Sequence, residues 1–171
     1  VYSIPRFTTN KAFPVIENWF IASIPNHPFI QKWRAEFQHY LAIGFKSYIQ
    51  EIQHNNIGTQ KISPLTYLTC HISAQKILQT NYGIDDQMTI LDCNKSPFYF
   101  LYHNEWNREK AMRNMLKDVK PINLTIIKLT NLCRKNLNKL IHNDLKNMPK
   151  KSFLGKYLLD DNIQVQDVLQ T

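Results

Sequence analysis

Thirteen acidic side chains, six histidines and three cysteines are among the groups in this 171-residue sequence that could bind a metal, move a proton or attack a substrate. Their spacing limits what they can do. Asp85-Asp86 and Asp160-Asp161 are adjacent pairs, and neighbouring side chains on a strand diverge, so neither pair clamps one cation as an Asp-x-Asp would. Cys70, Cys93 and Cys133 are odd in number, far apart and without Cys-x-x-Cys spacing. They point to neither a disulfide framework nor a zinc site, and read as small apolar residues in a reducing compartment. His71 lies beside Leu68 and Ile72 with no partner ligand in register, and reads as a structural histidine. With four glycines in the chain, no Gly-rich phosphate loop, Gly-x-Gly-x-x-Gly or Gly-x-x-x-x-Gly-Lys is present. Taken alone, the sequence looks catalytically incomplete.

Charge is the second signal. The formal net charge is +8, but residues 107–156 hold thirteen basic against three acidic side chains, a net of +10, and leave the remainder slightly acidic. Such a segment attracts phosphates. Three readings stand: a solvated face, adhesion to an anionic membrane at about 1 kcal/mol per cation, and nucleic-acid binding. The last is not expected, because the sequence has no helix-turn-helix signature, zinc finger or aromatic RNP string, and its aromatic residues lie mainly outside the basic stretch.

The elements that position these groups can be read from periodicity. Residues 15–24 are dense in β-branched and aromatic types and end in Pro25-Asn26, which predicts a buried strand and a turn. Asn26 as cap and Pro28 in the first turn open a segment in which Ile30, Trp33, Phe37, Leu41, Phe45, Tyr48 and Ile52 recur every three or four residues. This predicts one amphipathic helix of about 25 residues, with Trp33 and Phe37 in the core. Ser63-Pro64 predicts the start of a second helix reaching about Thr80. A short strand over 88–91, an aromatic segment over 98–102, a short basic helix over 106–117 and an extended run over 122–127 follow. A basic amphipathic helix carries Leu132, Leu137, Leu140 and Ile141, and a last short helix covers 152–159. No Gly- or Ser-rich linker divides the chain. The expected fold class is α/β, a single unit over 1–171 with a basic, mostly helical tail over 118–171.

One long string in this pattern is distinctive: Val15-Ile16-Glu17-Asn18-Trp19-Phe20-Ile21-Ala22-Ser23-Ile24-Pro25-Asn26-His27-Pro28-Phe29-Ile30, followed by Trp33 and Glu36-Phe37. It resembles the segment after the metal-binding strand in capsular polysaccharide synthesis glycosyltransferases, relatives of glycosyltransferase family 32. Later pieces are also similar to that family: Ser63-Pro64-Leu65-Thr66-Tyr67-Leu68-Thr69, Tyr102-His103-Asn104-Glu105-Trp106, and Ile126-Ile127-Lys128-Leu129-Thr130 with Arg134. The resemblance covers nearly all of the chain.

It implies the C-terminal, acceptor-side portion of a GT-A-type fold. The nucleotide-binding half and its Asp-x-Asp are expected in a preceding segment, since the chain opens on Val1 directly in an extended run. The implied reaction passes a sugar from a nucleotide-sugar donor to a growing capsular or lipid-linked saccharide, with a divalent cation, Mn2+ or Mg2+, held mainly by residues outside this sequence. His103 is the expected metal ligand contributed here, unless it caps a helix or hydrogen-bonds in the interior. Glu17, Asn18 and Trp19 are expected beside the donor sugar: Asn18 to hydrogen-bond a hydroxyl, Trp19 as a platform for a ring face, and Glu17 as a carboxylate or instead paired with Arg34 or Lys32. On a strand Asn18 would point opposite to the other two. Tyr67 and Trp106 complete the expected substrate-binding set. With no leader or spanning segment visible, the expected location is cytoplasmic, peripheral on the inner face of the plasma membrane. The rival reading is a non-catalytic basic module that binds an anionic membrane surface or a polyanion.

Overall fold

The computed structural model describes residues 1–81, 83–117, 124, 126–144 and 147–159. The chain divides into two compact units, Val1–Cys93 and Asn94–Thr171, with no Gly- or Ser-rich linker at the boundary. The described residues are mostly helical, with two short parallel strands.

In the first unit, strand β1 (Tyr2–Ser3) pairs in parallel with β2 (Leu91–Asp92), Tyr2 opposite Leu91 and Ser3 opposite Asp92. The strand expected over 15–24 does not form. Ile16 makes an isolated antiparallel bridge to Ser3, and the Glu17 N–H donates to the Tyr2 carbonyl at 2.8 Å. Beyond that point Trp19 and Phe20 pack their rings on Tyr2, Pro25 offers no N–H to a ladder, and Asn26 turns the chain with φ 59°. Residues 18–27 are therefore a loop in which Trp19 and Phe20 are held by ring contacts with Tyr2.

Helix α1 (Pro28–His54) matches the expected length but is not one straight rod. Gly44 has φ 78° and ψ 164°, a conformation that essentially excludes residues with a Cβ. In a straight helix, residues twelve apart lie about 18 Å apart. His39 Nε2 and Glu51 Oε2 are 2.7 Å apart, and the Tyr40 and Tyr48 rings meet at 5.4 Å, so the chain folds back on itself at Gly44. Leu41, expected on the buried stripe, is exposed as a result. Helix α2 (Thr69–Thr80) packs against α1. It begins five residues later than Pro64, because residues 64–67 form a turn that the Thr69 hydroxyl closes by donating to the Leu65 and Thr66 carbonyls.

Two apolar clusters hold this unit. One joins Ile4 and Val15 to Tyr48, Ile52 and Ile72; the other joins Ile16, Phe29 and Trp33 to Ile77 and Leu78. Each fully buried side chain of this size contributes about 1.5–3 kcal/mol.

In the second unit, α3 (Tyr99–Tyr102) is a single helical turn made from the aromatic segment. Helix α4 (Arg108–Lys117) buries Ala111, Met112, Met115 and Leu116 and packs on α5 (Asn131–Asp144), which buries Cys133, Leu137 and Leu140. A last turn, α6 (Gly155–Leu158), places Phe153 against Phe100. At Gly155 a Cβ would stand 2.1 Å from the Pro149 carbonyl oxygen, so only glycine fits. Of the extended run expected over 122–127, residues 122, 123 and 125 lie outside the described residues, as does the end of the tail, and residues 124, 126 and 127 belong to no strand.

Among the described residues no helix is long and apolar enough to cross a membrane.

Candidate functional site

The loop over 18–27 lies between two openings in the first unit. Asn18, Ile21, Ile30, Trp33, Arg34, Phe37 and Cys70 line an apolar groove of about 220 Å3. A larger cavity of about 370 Å3 shares Ile21 and Ile30 with it and is bounded by Ser23, His27, Met88 and Thr89. The floor of the groove is rigid: Trp33 Nε1 donates to the Cys70 carbonyl and the Ser73 hydroxyl, both at 3.0 Å. Its rim is polar, with Arg34 and Asn18 both exposed. Burial pushes the Cys70 thiol above its usual pKa, and a hydrogen bond with the Asn18 side chain acts in the opposite direction. Apolar walls with a few convergent polar groups are the usual make-up of a small-molecule site.

Of the expected site residues, the loop brings Glu17, Asn18 and Trp19 together but gives them different surroundings. Asn18 faces the groove. Glu17 is buried, and its carboxylate approaches His71 Nε2 at 3.9 Å, with neither Arg34 nor Lys32 as its partner. Its charge helps to push the buried Cys93 thiol up to about 12, after the larger effect of burial. His71 Nδ1, buried with it, has no hydrogen-bond partner among the described residues. Trp19 lies flat against Tyr2, ring centres 6.0 Å apart and planes within 6°, so one of its faces is already covered. Tyr67 is 82% exposed in the turn before α2 and lines none of these openings.

His103 and Trp106 belong to the second unit. The His103 imidazole is exposed and packs on Tyr99 at 4.2 Å and on Tyr102 at 5.3 Å; it is not an interior histidine, and the residue stands at the C-cap of α3, its backbone N–H donating to the Tyr99 carbonyl at 3.0 Å. Trp106 sits half-buried against Phe98 with φ 60°. Among the described residues, no three His, Cys, Asp or Glu side chains converge to hold a metal ion.

Sequence reasoning missed a second constellation. Lys76 Nζ bonds Glu36 Oε1 at 2.8 Å and also Glu51 Oε1, while His39 holds the other Glu51 oxygen. Tyr48 lies beneath, fully buried, with the ammonium 5.7 Å from its ring centre. The Lys76 bond, then the His39 bond, outweigh the burial that opposes them and hold Glu51 below the usual carboxylate range. Burial opposes the charge on Lys76, but its bonds to Glu36 and Glu51 prevail and raise its pKa. Burial, with Glu36 and Glu51 nearby, moves the Tyr48 phenol well above its ordinary value. These groups bind one another and none lines the groove; they staple the two halves of α1 to α2. The signal that could have found them is Gly44, whose presence inside a helical pattern marks a possible reversal.

Comparison of the chain with known protein families, with characterised proteins and with solved structures finds no match.

Proposed function

We propose that this chain is the acceptor-side part of a metal-dependent glycosyltransferase that builds a capsular or other surface saccharide from a nucleotide sugar. The observation that carries the reading is the coincidence of the distinctive string with the open part of the first unit. The segment 15–30 that resembles the capsular polysaccharide family supplies Asn18, Ile21 and Ile30 to the groove, and Ile21 to Ile24 to the adjoining cavity.

In this reading the groove holds a sugar ring. Phe37 and Ile21 meet its apolar face, the Asn18 amide exchanges hydrogen bonds with a hydroxyl, and Arg34 at the rim faces an anionic group of the substrate. Trp33, pinned by its two hydrogen bonds, keeps the floor from collapsing, so the bound ring is oriented before reaction. Glu17 then acts as a buried support of the loop through His71, and not as a substrate ligand. A divalent cation, when bound, would neutralise the leaving diphosphate; the residue here that would help hold it is His103.

The test uses the intact encoded protein with manganese or magnesium, a panel of nucleotide sugars and saccharide acceptors. Asn18→Ala should lower kcat/KM for transfer about tenfold through one lost hydrogen bond. His103→Ala should depress metal-dependent donor hydrolysis far more, with an unchanged circular dichroism spectrum. Undiminished turnover in both variants, or no nucleotide-sugar turnover at all, would overturn the reading.

A further inference from the structure

The second unit carries a surface that the glycosyltransferase reading leaves unused. On α5, Cys133, Leu137 and Leu140 are buried, whereas Arg134, Lys135, Asn138, Lys139 and His142 are exposed. At about 100° per residue these five span roughly 140° of the helix circumference, centred almost opposite the buried stripe. Residues 131–143 contain no Asp or Glu, and the one acidic residue of the helix is its last, Asp144. Leu132 stands at the flank of the same face, one and two turns before Lys135 and Lys139, and is 51% exposed. Helix α4, packed on α5, adds exposed Lys110, Arg113 and Lys117 opposite its own buried side, with Arg113 tied to Glu109 at 2.8 Å.

We propose that this α5 face docks on an anionic lipid bilayer. Charge complementarity selects a phosphate-bearing partner, and two features favour a membrane over nucleic acid. A leucine set among lysines can enter the headgroup boundary while the long cationic stems spread around it. The face also offers no aromatic ring on which a base could stack, since residues 131–143 contain no Phe, Tyr or Trp. Each cation near such a leaflet strengthens binding about fivefold, so the face gives a weak, reversible and salt-sensitive attachment.

The test is co-sedimentation of the full chain with phosphatidylglycerol–phosphatidylcholine vesicles, against pure phosphatidylcholine, over a salt series. Binding should need phosphatidylglycerol and decline steeply with salt. Combined Arg134→Glu, Lys135→Glu and Lys139→Glu should weaken it at least tenfold. The same charge change placed on exposed cations of the first unit, Lys11→Glu, Lys32→Glu and Lys46→Glu, should weaken it no more than about threefold. Leu132→Ser should cost about threefold and leave the salt slope intact. Thermal unfolding of each variant checks its fold, and the corresponding glutamine variants replace the glutamates if the triple reversal unfolds. No vesicle binding, equal loss in both triple variants, or equal binding to neutral vesicles would overturn the proposal. So would tight binding to a single-stranded oligonucleotide, lost in the α5 variant and not displaced by vesicles, which would make the face a nucleic-acid surface.

Discussion

The two units treat charge in opposite ways. Residues 1–93 hold seven basic and six acidic side chains, close to balance, and draw Lys76, Glu36 and Glu51 inward until the Lys76 and Glu36 side chains are only 13% and 12% exposed. Residues 94–171 hold fourteen basic against seven acidic side chains, and α4 and α5 turn their cations to solvent. The difference decides what each charge is worth. An ion held among protein groups must be paired, and losing one partner strands the other at several kcal/mol. An ion in water contributes little to folding, yet many of one sign sum into a field that reaches about a Debye length, near 10 Å. Charge fixes geometry in the first unit and is displayed to solvent in the second.

The strongest way to break this contrast is Lys76→Met, which leaves Glu36 and Glu51 facing each other without their shared cation. Urea unfolding should register a loss of about 3 kcal/mol. Lys135→Met on α5 should stay within about 0.5 kcal/mol by the same measurement. Equal losses would abolish the distinction. Gly44→Ala should cost about 2 kcal/mol in unfolding free energy from the backbone alone, since nothing lies within 4 Å of the position its Cβ would take. A smaller effect concerns pH. Glu51 is depressed, so its contribution is present above the ordinary carboxylate value and is lost as pH falls through the lower, folded value. Lys76 is raised, so its contribution is present below the ordinary lysine value and is lost as pH rises through the higher, folded one. Stability followed from neutrality down to roughly pH 3 should therefore fall less steeply in Lys76→Met than in the parent chain.

How far the sequence was legible depended on whether a feature is local. The helical spacing of Trp33, Tyr48 and Ile52 located α1, and the apolar positions Leu137 and Leu140 located α5, because a periodic stripe needs no distant partner to be recognised. The strand over 15–24 was misread because β-branched and aromatic types signal a half-buried extended surface but not what covers it; here Tyr2 covers Trp19 and Phe20 in place of a neighbouring strand. The ionic cluster was hidden for a related reason. Glu36, Glu51 and Lys76 are far apart in sequence and meet only after Gly44 reverses α1. Among the candidate site residues, Asn18 was placed by its string, whereas Arg34, Cys70 and Phe37 joined it through the packing of α1 on α2, which no single-residue spacing encodes.

The reversal at Gly44 also bears on the order in which the first unit can assemble. The contact it creates between His39 and Glu51 spans 12 residues, whereas the Ser3 hydroxyl reaches the Leu91 carbonyl across 88. Closing the longer loop costs about 2 kcal/mol more in chain entropy, and long-range pairings repay that cost late. The hairpin of α1 is thus suited to form early and offer α2 a surface, and the two-stranded ladder joins the ends of the unit once that surface is in place.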